Sequence, residues 1–307
     1  SRRQRQMCIR DRGEYMNKLS KYIATATLAT AFTISAPLNT YASDSHAKQD
    51  ENHQTTQQQK NPNLGSENIM AVSWYQNSAE AKALYLQGYN SAKIQLDKEI
   101  KKNKGKKKLA IALDLDETVL DNSPYQGYAA LNDAPHPQGW HEWVAAAKAK
   151  PVYGAKSFLN YANKKGVDIY YISDRDKEKD FKGTKQNLKN IGLPQATDSH
   201  ILLKGKSDKS KETRREKVQK HHKLVMLFGD NLLDFADPKQ PTAQSRDELI
   251  QKHKDDFGKK YIIFPNPMYG SWESTIYNNN YQISKAQKDQ LRKQSIKQFN
   301  PKTGDVK

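Results

Sequence analysis

The stretch that most constrains this chain is Leu109–Leu113, an unbroken apolar run that drives into Asp114-Leu115-Asp116-Glu117-Thr118. Apolar runs this short, bounded by polar or turn-forming residues, read as buried strands. In open α/β sheets the sites lie at the carboxyl ends of the strands, so this strand delivers its carboxylates to a functional edge. Asp114 and Asp116 are two apart, and strict alternation would point both to one face. Two like charges that close repel unless a cation or a proton sits between them. A divalent metal or phosphoryl transfer is the first implication. A bare DxD is more often only a solvated turn. A calcium loop beginning at Asp114 fails, because position six is Val119 instead of Gly and position twelve is Tyr125 instead of Glu.

Four more strands are expected downstream: Val167–Ile172, Ile201–Leu203, Leu224–Phe228 and Tyr261–Phe264. Helical patterns separate them, at Ala155–Lys165 (stopped by Gly166) and Lys182–Asn190 (stopped by Gly192-Leu193-Pro194). Ahead of the first strand, apolar residues recur at helical spacing between Glu67 and Lys102, implying one or two amphipathic helices, and Lys101–Lys108 is a basic linker. Residues 121–150 form a long connection with Pro124, Pro135 and Pro137 and a helix-like Trp140–Lys150. Such connections are commonly lids. The expected fold is therefore α/β: a Rossmann-like, five-stranded parallel core sheet with helices on both faces. A small, mainly helical cap comes from the N-terminal helices and the 121–150 insertion.

Domain organisation follows from composition. Met16 opens a secretory signal: Lys18 and Lys21 precede a run of Ala, Thr, Leu, Ile and Phe, and Thr40-Tyr41-Ala42 offers a cleavage site after Ala42. Residues 1–15, with five arginines, precede that methionine and are set aside as not belonging to the folded protein. Ser43–Ser66 is polar and reads as a disordered leader. Residues 67–307 form one domain, with N-terminal helices at 67–105, a catalytic core at 106–275 and a polar tail at 276–307. The single cysteine, Cys8, lies in the first segment, which excludes disulfides, cysteine catalysis and an amino-terminal lipid anchor from the mature chain. Without residues 1–42, the chain has 44 Lys and Arg against 32 Asp and Glu, a net +12. That balance favours anionic partners without choosing among phosphate esters, nucleic acid and wall polymers.

Three strand ends carry reactive groups: DxDxT at Asp114, Ser173 in Ser173-Asp174-Arg175, and GDNxxD at Asp230. A lysine-rich stretch, Lys204–Lys220, lies between the last two. Parallel strands align their carboxyl ends, so all these groups can meet. Phosphoryl transfer needs such a set. One carboxylate attacks phosphorus. Another protonates the leaving oxygen and then activates water. A carboxylate-held Mg²⁺ offsets repulsion, and a hydroxyl and an ammonium hold the equatorial oxygens.

The segments LDLDETVLDNSPY, VMLFGDNLLDF and FPNPMYGSWE resemble signatures of the haloacid dehalogenase-like phosphohydrolases, within them the class C, secreted or lipoprotein-type, bacterial acid phosphatases. The resemblance spans roughly Glu67 to Trp272. It implies Asp114 as nucleophile, Asp116 as acid/base and Ser173 as phosphate-binding hydroxyl. Mg²⁺ would be held by Asp114, Asp230 and the Asp116 backbone carbonyl, with Asp234 supporting its water shell or orienting the lysine. Lys211, in Lys-Glu-Thr-Arg, best matches the family's Lys-x-x-Arg spacing, with Lys209 as runner-up. Trp140 and Tyr269 match an aromatic pair that sandwiches a nucleobase or aromatic leaving group.

The implied activity is a secreted, Mg²⁺-dependent acid phosphomonoesterase acting on nucleoside monophosphates and aryl phosphates. Its rate should fall as Asp116 ionises. Two alternatives stand beside it: a phosphotransferase using the same aspartyl-phosphate, and a non-catalytic secreted protein binding nucleotides or anions. No specific nucleic-acid partner and no membrane anchor are expected. A homodimer and retention at the cell wall through positive charge are left open.

Overall fold

The computed structural model describes residues 61–307 except Lys106. The signal segment and nearly all of the expected leader lie outside the described residues. Where the leader was expected to run to Ser66, the chain is already helical at Leu64–Glu67 (α1), because the Asn63 side chain caps it by accepting the Ser66 N–H. Ile69–Asn77 (α2) and Ala79–Lys102 (α3) follow. Ser78 caps α3 through the Ala81 N–H. Its buried stripe, Ala81, Tyr85, Tyr89, Ala92 and Leu96, keeps one face of the helix apolar.

The core is a five-stranded parallel sheet in the order β5-β4-β1-β6-β7. The strands are β1 (Lys108–Leu113), β4 (Asp168–Asp176), β5 (Ile201–Lys204), β6 (His222–Gly229) and β7 (Tyr261–Ile263). β1 is central, which is why its apolar run is buried on both sides. Leu109, Ile111 and Leu113 face the larger core, with Tyr85, Tyr89, Phe158 and Phe264. Ala110 and Ala112 face a smaller one, with Val218, Phe235 and Tyr261. β4 continues past the expected end at Ile172, so Ser173 and Arg175 are strand residues on one side while Asp174 points to the other.

The strands are connected by α6 (Ala155–Lys164), α7 (Phe181–Asn190), α8 (Glu212–His221) and α9 (Ala243–His253). The last two lie in stretches whose polarity hid their helical period. In the insertion, α4 (Ser123–Asn132) and α5 (Trp140–Ala146) are helical, and α5 stops short of Lys150. Lys150–Pro151 (β3) instead pairs antiparallel with Leu120–Asp121 (β2). α1 and α2 pack on α4, and the Gly65 N–H donates to Asp133 Oδ1 at 3.1 Å, so the cap unites both segments. α3 has a different role. It lies on the sheet, with Tyr89 stacked among Phe158, Phe228 and Phe264.

Beyond β7 come α10 (Ser271–Ile276) and α11 (Lys285–Gln294), the latter inside the polar tail. Arg292 of α11 bonds Glu67 at 2.7 Å and Glu273 at 2.5 Å, tying the tail back to the domain. Among the described residues, no helix is long and apolar enough to cross a membrane.

Gly88 lets α3 approach Phe264 closely, since a Cβ there would lie 2.5 Å from the ring. That ring is itself held between Tyr85 and Tyr89, at 5.0 and 4.6 Å. Gly88→Ala should therefore destabilise the wild type, overpacking costing about 1–3 kcal/mol. In a Phe264→Ala background the same change should stabilise, the clash being gone and helix propensity favouring Ala by about 1 kcal/mol. Urea unfolding of the four proteins reads the reversal, and additive effects would refute the contact.

Candidate active site

Asp114 leaves β1 with its N–H bonded to the Phe228 carbonyl of β6 at 2.9 Å. Asp230 leaves β6, and Asp234 returns from the 3-10 turn Leu232–Asp234. Gly229 makes that return possible, for a Cβ there would fall 2.1 Å from the Asp234 carboxylate. The Asn231 N–H donates to Asp234 Oδ2 at 2.9 Å, and the Asn231 side chain caps the turn. The GDNxxD pattern is thus a local device for aiming two carboxylates. One oxygen from each of Asp114, Asp230 and Asp234 lies within 4.8 Å of the others.

Lys211 enters this cluster from the N-cap position of α8, and it is 6% exposed. Its ammonium donates to Asp114 and, at 2.5 Å, to Asp234 Oδ1. Lys209 is exposed and makes neither bond. One turn along, Arg214 donates to the Ser173 carbonyl at 2.6 Å and to Asp174 at 2.5 Å. Arg215 donates to the carbonyls of Leu233 and Asp234. The start of α8 is therefore stitched to β4 and to the 232–234 turn, which fixes where the lysine points.

Burial opposes a charge on Lys211, but Asp114, Asp234 and Asp174 more than offset it and hold the ammonium well above its usual range. Burial pushes the Asp114 carboxyl up, with Lys211 opposing and Asp234, Asp116 and Asp230 adding to the rise. Burial and then Asp234 raise Asp230 to about 7. Three crowded carboxylates around one ammonium form a surplus of negative charge that a cation would relieve. The donors are all hard oxygens, which suits a divalent ion of the Mg²⁺ or Ca²⁺ kind. The cluster fits a divalent metal.

Asp116 faces a different set of partners. Strand alternation ends at Leu113, and the chain turns on the Leu115 carbonyl, which accepts the N–H groups of Val119 and Leu120 at 2.9 and 2.8 Å. Arg175 donates to Asp116 Oδ1 from Nε at 2.9 Å and from Nη2 at 2.7 Å, and Asn122 donates at 2.7 Å. Ser173 Oγ, fully buried, lies 3.4 Å from the other Asp116 oxygen. Sequence reasoning missed Arg175 and Asn122. A signal existed for the arginine: it stands two residues after Ser173 on a strand otherwise buried, so it required an acidic partner.

Glu117, inside the signature, was also missed. It is fully buried and sits at φ 54°, a left-handed conformation that costs a non-glycine residue about 1–2 kcal/mol. Its carboxyl accepts the Asn122 N–H at 2.7 Å and bonds the Tyr269 hydroxyl. Its carbonyl accepts from Tyr85, which in turn meets Tyr75 at 2.5 Å. Tyr89 donates to the Thr118 carbonyl at 2.6 Å. The N-terminal helices thus bolt the strained turn from below. Asn266 was overlooked as well, and it donates to Asp230 at 2.7 Å.

Tyr269 is half-buried, its ring anchored through Glu117. Trp140 is 9% exposed, packed edge-on to Tyr125 at 5.1 Å, with the Arg175 guanidinium 5.4 Å over its ring. Trp140 therefore offers a ligand little surface. His136 packs beside it, and His141 bonds Asp180 at 2.7 Å.

Burial, then Asp116 and Asp230, raise Glu117 well above the ordinary glutamate value of 4.5. Below 4.5 the group is protonated in both folded and unfolded chains. Above it the unfolded chain releases a proton that the folded chain keeps, so stability falls by up to about 1.4 kcal/mol per pH unit. Glu117→Gln should match wild type near pH 4.5 and exceed it increasingly toward pH 7 in denaturant titrations. Parallel stability curves would contradict this.

Comparison with known proteins identifies the family. The profile of the HAD superfamily, subfamily IIIB (acid phosphatase), matches residues 28–272. The class C acid phosphatase from Bacillus anthracis is 45% identical, covering 78% of this chain and all of that one, with a TM-score of 0.75. The same enzyme with tungstate bound matches equally. The class B acid phosphatase of a Rahnella species is 24% identical over 189 residues, 58% of this chain and 75% of the relative. This chain belongs to the HAD-superfamily acid phosphatases of subfamily IIIB, enzymes that hydrolyse phosphate monoesters.

Proposed function

We propose that this acid phosphatase is an exported, Mg²⁺-dependent enzyme that hydrolyses nucleoside monophosphates and aryl phosphates through an aspartyl-phosphate on Asp114. The observation that carries the reading is the buried cluster in which Lys211 bridges Asp114 and Asp234 beside Asp230. Asp114, Asp230 and the Asp116 carbonyl would hold Mg²⁺, which would screen the incoming phosphate from the carboxylates. Asp234 keeps Lys211 turned inward.

In the first half-reaction, a carboxylate oxygen of Asp114 attacks phosphorus as the bond to the ester oxygen breaks. Asp116 gives that oxygen its proton, and the alcohol leaves. Asp116, now ionised, takes a proton from water as it attacks the aspartyl-phosphate, releasing inorganic phosphate and restoring Asp114. Lys211 and Ser173 Oγ hold the equatorial oxygens, where charge gathers. Arg175 and Asn122 set the Asp116 rotamer, so the proton donor is aimed before substrate arrives. Tungstate, a tetrahedral oxyanion, bound by the Bacillus anthracis enzyme supports a phosphate-shaped pocket here. An aromatic leaving group would stack on Tyr269 and meet the small exposed part of Trp140. The apolar segment after Met16, outside the described residues, supports export.

Hydrolysis of p-nitrophenyl phosphate at pH 5 with Mg²⁺ should be abolished by EDTA and by Asp114→Asn. Asp116→Asn should lower kcat by about 10²–10⁴-fold. Activity that survives Asp114→Asn would refute the mechanism.

Tyr269→Leu should raise KM for a nucleoside monophosphate by about tenfold, one stacked base contributing about 1–3 kcal/mol. It should leave KM for glycerol phosphate nearly unchanged, and Tyr269→Phe should restore the nucleotide KM. Equal losses on both substrates would argue that Tyr269 only supports Glu117.

A further inference from the structure

The end of the molecule opposite the catalytic carboxylates carries a charge pattern that catalysis does not use. In a parallel α/β fold each helix returns the chain to the start of the next strand. The last turns of α3, α6, α8 and α9 therefore gather at the edge where β1, β4, β6 and β7 begin. The four entry segments, residues 101–108, 164–167, 217–223 and 252–260, carry six, two, three and four lysines against two aspartates. One of these, Asp256, is engaged by His253 at 2.8 Å. Nearby Glu99 meets Lys223 at 3.5 Å and Asp168 meets Lys108 at 2.5 Å, so these two bordering carboxylates engage only a few of the fifteen lysines and leave the rest in excess.

A lysine in the last turn of a helix has an ordinary explanation, since it complements the helix dipole. That accounts for Lys101, Lys102, Lys164, Lys220 and Lys252. It does not account for Lys104 and Lys107, which lie in the linker before β1, or for Lys259 and Lys260, which precede β7. All four are exposed. Contacts join neighbouring entries into one surface: Lys107 Nζ donates to the Gln219 carbonyl at 3.3 Å. With strands about 4.8 Å apart, the entries to β4, β1, β6 and β7 span about 15 Å.

We propose that this edge is a docking face for a linear phosphodiester polyanion without bases, read through its charge density. The segments contain no arginine, so they lack the fork that reads phosphate geometry. Phe257 is their one Phe, Tyr or Trp, and it is packed against Phe235 and Tyr261. Of their histidines, His222 bonds Asp168 and His253 bonds Asp256, leaving His221 as the one exposed ring and no extended platform on which successive bases could stack. β1 is six residues long, placing this face about 20 Å from the carboxylates at its other end. That exceeds the screening length of about 8 Å at physiological salt, so the polymer and the substrate bind independently. A chain held this way keeps its catalytic edge turned to solvent.

The test uses the full chain, fluorescent poly(glycerol phosphate), and two variants of equal net charge. One carries Lys104→Gln, Lys107→Gln, Lys259→Gln and Lys260→Gln; the other carries Lys82→Gln, Lys148→Gln, Lys297→Gln and Lys302→Gln, all exposed and away from this edge. The first should weaken binding by about tenfold or more and flatten its salt dependence, whereas the second should bind like wild type. Both should hydrolyse p-nitrophenyl phosphate at the wild-type rate, showing that they fold. Equal weakening in the two variants would overturn the proposal in favour of overall charge. Tighter binding of duplex DNA or of anionic lipid vesicles than of poly(glycerol phosphate) would overturn the assignment of the partner.

Discussion

The structure turns on one buried ammonium. Lys211 sits between Asp114 and Asp234, almost fully buried, and the carboxylates around it more than offset the cost of burying its charge. Removing one partner of such a group costs about 3–5 kcal/mol, since a buried charge is left uncompensated. Every feature around it serves this arrangement. Gly229 gives Asp234 room to fold back, Asn231 caps the turn that carries it, and Arg214 and Arg215 anchor the helix start that aims the lysine. One ammonium does not balance three carboxylates, and the remaining charge suits the cluster to a divalent ion as well as to a salt bridge.

The second constraint is the turn that follows β1. Glu117 adopts a left-handed conformation and buries its side chain, both unfavourable in isolation. Tyr85 and Tyr89 reach from α3 to its backbone, and Tyr269 reaches from the far end of the domain to its carboxyl. These bonds make the N-terminal helices part of what supports the turn after β1. Local strain is held by partners distant in sequence, a common arrangement at functional sites. Asp116 is held in the same manner, by Arg175 from β4 and Asn122 from the start of the insertion.

The five strands were legible because each is a short apolar run ending in a marked change of polarity, and β1 is the clearest. The helices α8 and α9 were not, because their buried faces are narrow and α8 buries two arginines where a leucine would be expected. The expected Trp140–Lys150 helix stopped early because Lys150 and Pro151 pair with β2, a contact invisible to local periodicity. In the site, Asp114, Asp230 and Asp234 are identified by motifs that carry their own geometry. Arg175, Asn122 and Asn266 do their work across the fold.

Sequence alone determined the parallel sheet, the strand ends that carry chemistry and the concentration of carboxylates at one edge. Short apolar runs and strand-terminal polarity are local properties, and parallel packing aligns whatever the strand ends hold. Tertiary structure alone decided which residues hold Asp116 and how deeply Trp140 is buried, and it placed in the cluster the lysine that the spacing favoured. Lys209 and Lys211 differ by only two positions in a polar stretch, where the Lys-x-x-Arg spacing favours Lys211 but no local physical property separates the two. Burial does: one of them caps a helix whose arginines bind it to β4 and the 232–234 turn, and the other is left in water.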